Sequence, residues 1–411
     1  MKKGGFASEL RMKMDYKTLF DAEIDRLGSG SYKWDSPAPE GTIPLWVADM
    51  DFRTAPAVIE ALERRVSHGV FGYTLVDDGY YKALTDWFLT RHGYSFTRDQ
   101  VIYTSGVVPA ISAIIKALTR PGDGVIVQTP VYNCFFSSIR NNGCRIVENP
   151  LIRQDFDDRT FTYRMDYQHL EELTADASNS LLLLCNPHNP AGRAWTSDEL
   201  RRVAEICRRH GVRVVSDEIH CELTAPDTAY TPYGTVDSDV NQRPEAIVCL
   251  SPSKAFNTAG LQIANVVCPD DEVKALVDKA ININEVCDVN PFGVVALKAS
   301  YSPQGEEWLT ALREYLFENY RFMLGYLLEH LPLCKVTRLE ATYLPWVDVS
   351  DCGIPSEAIE ERLMRQARVW VNAGEMYGKG GFIRLNIACP RTRLEEGLRR
   401  MCGWFNSLTN N

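Results

Sequence analysis

Ala246-Ile-Val-Cys-Leu250 runs directly into Ser251-Pro252-Ser253-Lys254. Five apolar residues without alternation read as a strand covered on both faces. The chain then turns polar and delivers a lysine, with hydroxyls beside it, at the strand's carboxyl end. Two upstream stretches follow the same plan. Leu181-Leu-Leu-Leu-Cys185 leads into Asn186-Pro-His-Asn189-Pro-Ala-Gly192, and Val212 to Ser216 leads into Asp217-Glu218-Ile219-His220.

Working outward, Val101 to Tyr103, Val125 to Val127 and Ile263 to Cys268 read as further short strands. Val108 to Leu118 and Asp198 to His210 read as helices between them. Such alternation predicts an α/β fold with a largely parallel sheet flanked by helices. Pro56 to His68 and Tyr80 to His92 have helical apolar spacing, and Thr18 to Leu27 predicts a short helix before an extended Gly/Ser/Pro-rich arm. Beyond Asn290 a long helical region, Phe292 to about Leu331, precedes strands at Tyr343 to Val349 and Gly381 to Ile387, with a helix at Ser356 to Gln366. The expected organisation is an N-terminal arm (1–50) joining a small domain, a large domain (51–289), and a smaller α+β domain (290–411).

The chain's 411 residues suffice for two domains. With 44 basic and 54 acidic residues the formal charge is −10, which argues against nucleic acid or an anionic membrane as the main partner. The twelve cysteines form no CxxC pair, so zinc and thioredoxin-like readings are weak. Free cysteines in apolar runs, a first heptapeptide without an apolar signal core, and no span-length apolar stretch predict a cytoplasmic protein.

Ligands of open α/β sheets bind beyond the strands' carboxyl ends. An asparagine, an aspartate and a lysine delivered there suggest pyridoxal 5′-phosphate. Lys254 is the candidate for a Schiff base; a free lysine titrates near 10.4, so its site must lower that value. Asp217 is placed to pair with a protonated pyridine nitrogen, or to cap a helix. Asn189 could donate to the phenolic oxygen, or serve the Asn-Pro turn. Ser105, Gly106 and Val107, between strand and helix, could cradle a phosphate or form an ordinary turn. Tyr132 could stack on the ring and assist proton transfer, or be a core tyrosine. Arg384, among apolar residues in Phe382-Ile-Arg-Leu-Asn386, is suited to a carboxylate or a structural ion pair. His188 and His220 are too poorly spaced for a metal, and no metal is expected.

Together these motifs resemble fold-type I pyridoxal-phosphate enzymes of the aminotransferase class I/II superfamily, over nearly the whole chain. More narrowly they are similar to the cystathionine β-lyase type of C–S lyases (the MalY/PatB branch). That match is carried by Lys33-Trp34-Asp35, Pro44 to Phe52, Gly69-Val-Phe-Gly-Tyr-Thr74, Gly106-Val-Val-Pro109, Cys185 to Pro190, Ser216 to His220 and Ser251 to Asn257. The resemblance implies that Lys254 carries the cofactor and that Asp217 meets its ring nitrogen. Asn189 and His220 would lie by the phenolic oxygen, and Tyr132 on the ring. Ser105, Gly106, Val107, Ser251 and Ser253 would surround the phosphate. It also implies that Arg384 clamps the substrate carboxylate beside Ala48, and that Tyr73 reaches the neighbouring subunit's phosphate, making a homodimer the functional unit. Two departures stand out. Gln262 occupies the place where many aminotransferases hold the phosphate with arginine, and Cys221-Glu222-Leu223 differs from the branch's usual acidic residue and leucine.

The implied reaction is α,β-elimination of cystathionine or another cysteine S-conjugate, with Lys254 as base and Lys254 or Tyr132 as proton donor. Two alternatives stand beside it: an aminotransferase using the same residues, and a regulatory protein on the same scaffold.

Overall fold

The computed structural model describes residues 15–157, 159–240, 244–285 and 289–409. Its largest sheet has seven strands. In spatial order they are Val101–Thr104, Ala264–Val267, Ile247–Leu250, Arg213–Asp217, Asn179–Cys185, Gly124–Val127 and Arg145–Glu148. Ala264–Val267 runs antiparallel to both its neighbours and every other pair is parallel. The carboxyl ends of the other six therefore open on one edge.

Both faces of this sheet are buried, which explains the unbroken apolar runs. Leu181, Leu183 and Cys185 pack with Ile111, Phe135 and Val277 on one side. Leu182 and Leu184, pointing the other way, pack with Trp195, Phe256 and Trp308. Each such side chain contributes roughly 1.5–3 kcal/mol on burial.

Helix boundaries follow local chemistry. Pro56–His68 begins on proline and ends at Gly69, whose φ of 75° suits a residue without Cβ. Ser197–His210 starts with a capping box, Thr196 and Glu199. The helical region expected from Phe292 divides in two, Pro291–Ser300 and Pro303–His330. The break has a local cause: Ser302 caps the new helix and Pro303 opens it, and the glycine at 305 permits the close approach to the end of the first helix, where a Cβ would lie 2.0 Å from the Ser300 carbonyl oxygen.

A six-stranded sheet forms the second layer. Its order is Asn372–Ala373, Phe382–Arg384, Trp346–Asp348, Lys335–Thr337, Thr160–Arg164 and Ile152–Asp155. The last two strands are a hairpin from within 51–289 that pairs with the C-terminal part, so the segment assigned to the large domain contributes to both sheets. Part of the N-terminal arm, residues 1–14, lies outside the described residues. Ile43–Pro44 pairs with Val369–Trp370, joining the arm to the C-terminal part. Among the described residues no helix is long and apolar enough to cross a membrane.

Candidate active site

Thr104, Cys185, Asp217 and Leu250 end four of the strands. The turns after them converge on a cavity of about 440 Å³ roofed by the arm and by the Asn372–Tyr377 segment. Lys254, Asp217, Asn189, His220, Tyr132 and Arg384 all line it, as do Ala48 and Ser253. So do Ser105, Gly106 and Val107.

Lys254 donates from Nζ to the Ala48 carbonyl at 2.7 Å. Burial first, and then the Arg384 guanidinium, lower its pKa to about 8. Asp217 accepts from the Ile219 amide at 3.1 Å. Burial carries its carboxyl up to about 7, with the neighbouring Glu218 adding to the rise. His220 is buried, its Nδ1 has no partner, and burial lowers its pKa to about 3, so the ring is neutral. Burial holds the Tyr132 phenol well above its usual range.

Arg384 is 3% exposed. It donates from Nη2 to the Trp46 carbonyl at 2.9 Å and from Nη1 to Asn189 Oδ1 at 3.2 Å, leaving Nε unpartnered. Its guanidinium lies 4.7 Å from the Tyr377 ring centre. Asn372 Nδ2 bridges the Trp46 carbonyl and the Tyr377 hydroxyl.

The roof is fixed from below. Asn257, with φ of 52°, donates to the carbonyls of Met50 and Phe52 at 2.9 Å each and accepts from the Met50 amide at 3.0 Å. Asn386 donates to the carbonyls of Val47 and Asp49. Lys33, 1% exposed, lies 3.2 Å from Asp51, which also accepts from Trp34 and pairs with Arg26 and Arg393. The Lys33-Trp34-Asp35 and Pro44–Phe52 motifs therefore hold the roof.

Two expected site residues lie elsewhere. Ser251 does not line the cavity; its hydroxyl donates to the Ile263 carbonyl at 2.6 Å and accepts from the Ser253 amide, so it orients Ser253. Tyr73 is 95% exposed and is not part of this chain's own cavity. The sequence reading passed over Cys134, Tyr377 and Asn372, which line the cavity, and Tyr343, whose hydroxyl donates to the Ala48 carbonyl at 3.0 Å.

The donor set fits pyridoxal 5′-phosphate. Asp217 is a buried carboxylate whose ionised form needs a nearby cation, which a ring nitrogen provides. Gly106 gives the Val107–Leu118 helix no side-chain cap, which leaves its first amides open for a phosphate. Lys254 stands ready for the aldehyde. Gln262, exposed at φ 51°, offers an amide rather than a cation to the phosphate end. Among the described residues no cluster suits a metal ion.

Residues 40–401 match the Aminotransferase class I and II family. The chain is 38% identical to "Cystathionine beta-lyase PatB" of Bacillus subtilis over 93% of its own length and 98% of that protein. It is 34% identical to "Protein MalY" of Escherichia coli over 92% and 96%. The structure superposes on cystalysin from Treponema denticola, which contains pyridoxal 5′-phosphate, with a TM-score of 0.89, 32% identity, and 95% and 99% of the two chains covered.

Proposed function

The chain belongs to the Aminotransferase class I and II family, and from that premise we propose that it is a pyridoxal-phosphate-dependent C–S β-lyase. It cleaves cystathionine or a related cysteine S-conjugate to a thiol, pyruvate and ammonia. The observation that carries this reading is geometric: Lys254 shares one cavity with the buried guanidinium of Arg384 and the buried Asp217. Similarity to a cystathionine β-lyase over nearly the whole chain favours elimination over amino transfer.

Lys254 and Asp217 would hold the cofactor at its aldehyde and ring nitrogen, with Asn189 and His220 at the phenolic oxygen. The phosphate would rest on Ser105, Gly106, Val107 and Ser253. When bound, the cofactor supplies a cationic ring that takes up the electrons released as the Cα–H bond breaks. Arg384 grips the α-carboxylate, aided by Asn189, and so fixes which Cα bond faces Lys254. Lys254 takes the Cα proton in its neutral form, which its lowered pKa favours. Tyr132, kept protonated by burial, or Lys254 returns a proton to the departing sulfur. The three-carbon remainder leaves as an enamine that water converts to pyruvate and ammonia.

We place the enzyme in the cytoplasm as a homodimer, with the exposed Tyr73 reaching the neighbouring subunit's cofactor phosphate; the eleven described cysteines, all free, agree with a reducing compartment. The test is incubation of holoenzyme with cystathionine and no keto acid. Pyruvate release supports the lyase, and strict dependence on an added keto acid identifies an aminotransferase instead.

A further inference from the structure

A second cavity, about 530 Å³, lies between the two sheets on the far side of the segments that wall the active cavity. One wall is Thr129–Pro130, the other Gly378–Gly380. These segments continue directly into Tyr132 and out of Tyr377. They are tied together by the Val131 amide, which donates to the Tyr377 carbonyl at 3.0 Å. They also touch closely, since a Cβ on Gly378 would lie 3.3 Å from Thr129 Cγ2.

The lining carries separated charges of both signs. Glu148 accepts from the Thr129 hydroxyl at 2.9 Å and has no cationic partner among the described residues. Lys379, on the other wall, has no anionic partner among them. Arg153 spends Nε on Asp155 and Nη1 on Asp348, while its Nη2 is buried and unpartnered. Pro130, Pro150, Leu151 and Phe382 provide an apolar floor. A free carboxylate and a free ammonium on separate walls over an apolar surface match an ammonium, a carboxylate and an uncharged side chain.

We propose that this inter-sheet cavity is a second site for a free α-amino acid with an uncharged side chain. Its ammonium meets Glu148 and its carboxylate meets Lys379. A ligand bridging Glu148 and Lys379 clamps the two segments that present Tyr132 and Tyr377, and Tyr377 carries Arg384. Occupancy therefore acts on substrate binding.

Equilibrium dialysis of holoenzyme with radiolabelled L-leucine, which has no leaving group on Cβ, tests this without turnover. The expected result is leucine bound beyond one per active site. Lys379→Ala and Glu148→Gln should each weaken that additional binding about tenfold. Without leucine, their kcat/KM for the C–S substrate should stay within about twofold of wild type. Leucine at the active site raises the apparent KM for that substrate by competition in both proteins; occupancy of the second site should add a further KM change in wild type that is absent in Lys379→Ala. Binding limited to the active site, additional binding untouched by both substitutions, or the same KM response to leucine in wild type and Lys379→Ala would each overturn the proposal. Binding is read without the elimination reaction, so it stands or falls apart from the lyase reading.

Discussion

Lys254 Nζ lies 2.7 Å from the Ala48 carbonyl oxygen, a contact between residues 206 positions apart. The arm thus sets where the base rests before substrate arrives, and that oxygen also accepts from Tyr343. Lys254→Ala removes the base and the group that holds the aldehyde. The expected loss in kcat is at least about 10³-fold, measured as pyruvate release from cystathionine. Wild-type-like turnover in this variant would remove the lysine from the chemistry.

Asn257 fixes the same arm. Asn257→Gly tolerates the φ of 52° but loses all three hydrogen bonds to Met50 and Phe52. The expected cost is about 1–3 kcal/mol in stability and a raised KM, because the carbonyls of Trp46 and Ala48 lose their support. Denaturant melts and steady-state kinetics check both; unchanged values would mean that Asn386 and Lys33 alone hold the roof.

Arg384→Lys keeps a positive charge but not the planar fork that reaches Trp46 and Asn189. A fall in kcat/KM of about 10–100-fold is expected, carried mainly by KM for a carboxylate-bearing substrate. Arg384→Ala should be worse.

Asp217 gives the apoenzyme a distinctive pH response. Its folded pKa, about 7, stands above the unfolded value near 3.9. Between roughly pH 4 and 7 the folded form holds a proton that the unfolded form has lost, so stability falls as pH rises through that window. Asp217→Asn should remove this slope and raise apoenzyme stability at pH 7 by on the order of 2–4 kcal/mol, while abolishing activity. Thermal melts of the two apo forms across pH 4–8 decide it; a shared slope would assign it to other groups.

At the buried cluster under the roof, Asp51 faces three cations, Lys33, Arg26 and Arg393. These lower its pKa against the opposing effect of burial. Asp51→Asn leaves those cations facing one another and should cost about 3–5 kcal/mol. Lys33→Met leaves Asp51 with two partners and should cost less. Urea midpoints rank the pair, and the reverse order would contradict this account.

The large sheet was legible because its strands are covered on both sides, so apolar runs stop only where polar residues meet the cavity. Lys254, Asp217 and Asn189 were visible for the same reason. The hairpin Ile152–Asp155 and Thr160–Arg164 was not, since its first strand is a half-exposed edge bearing Arg153, Gln154 and Asp155. Nor does its partner Thr160–Arg164 announce that it will pair with Lys335–Thr337, Thr160 facing Val336. Tyr343, Tyr377 and Cys134 read as ordinary core residues, and only their three-dimensional neighbours give them a role. Ser251 looked equivalent to Ser253; the carbonyl that captures its hydroxyl, that of Ile263, has no signature in sequence.

The roof over Lys254 also has a consequence for biosynthesis. Its strand leaves the ribosome before the side chains that grip it, Asn257 and Asn386, are translated. Growing polypeptides therefore lack a closed chamber until Asn386 has been made, and capture of the coenzyme in its final setting waits for that residue.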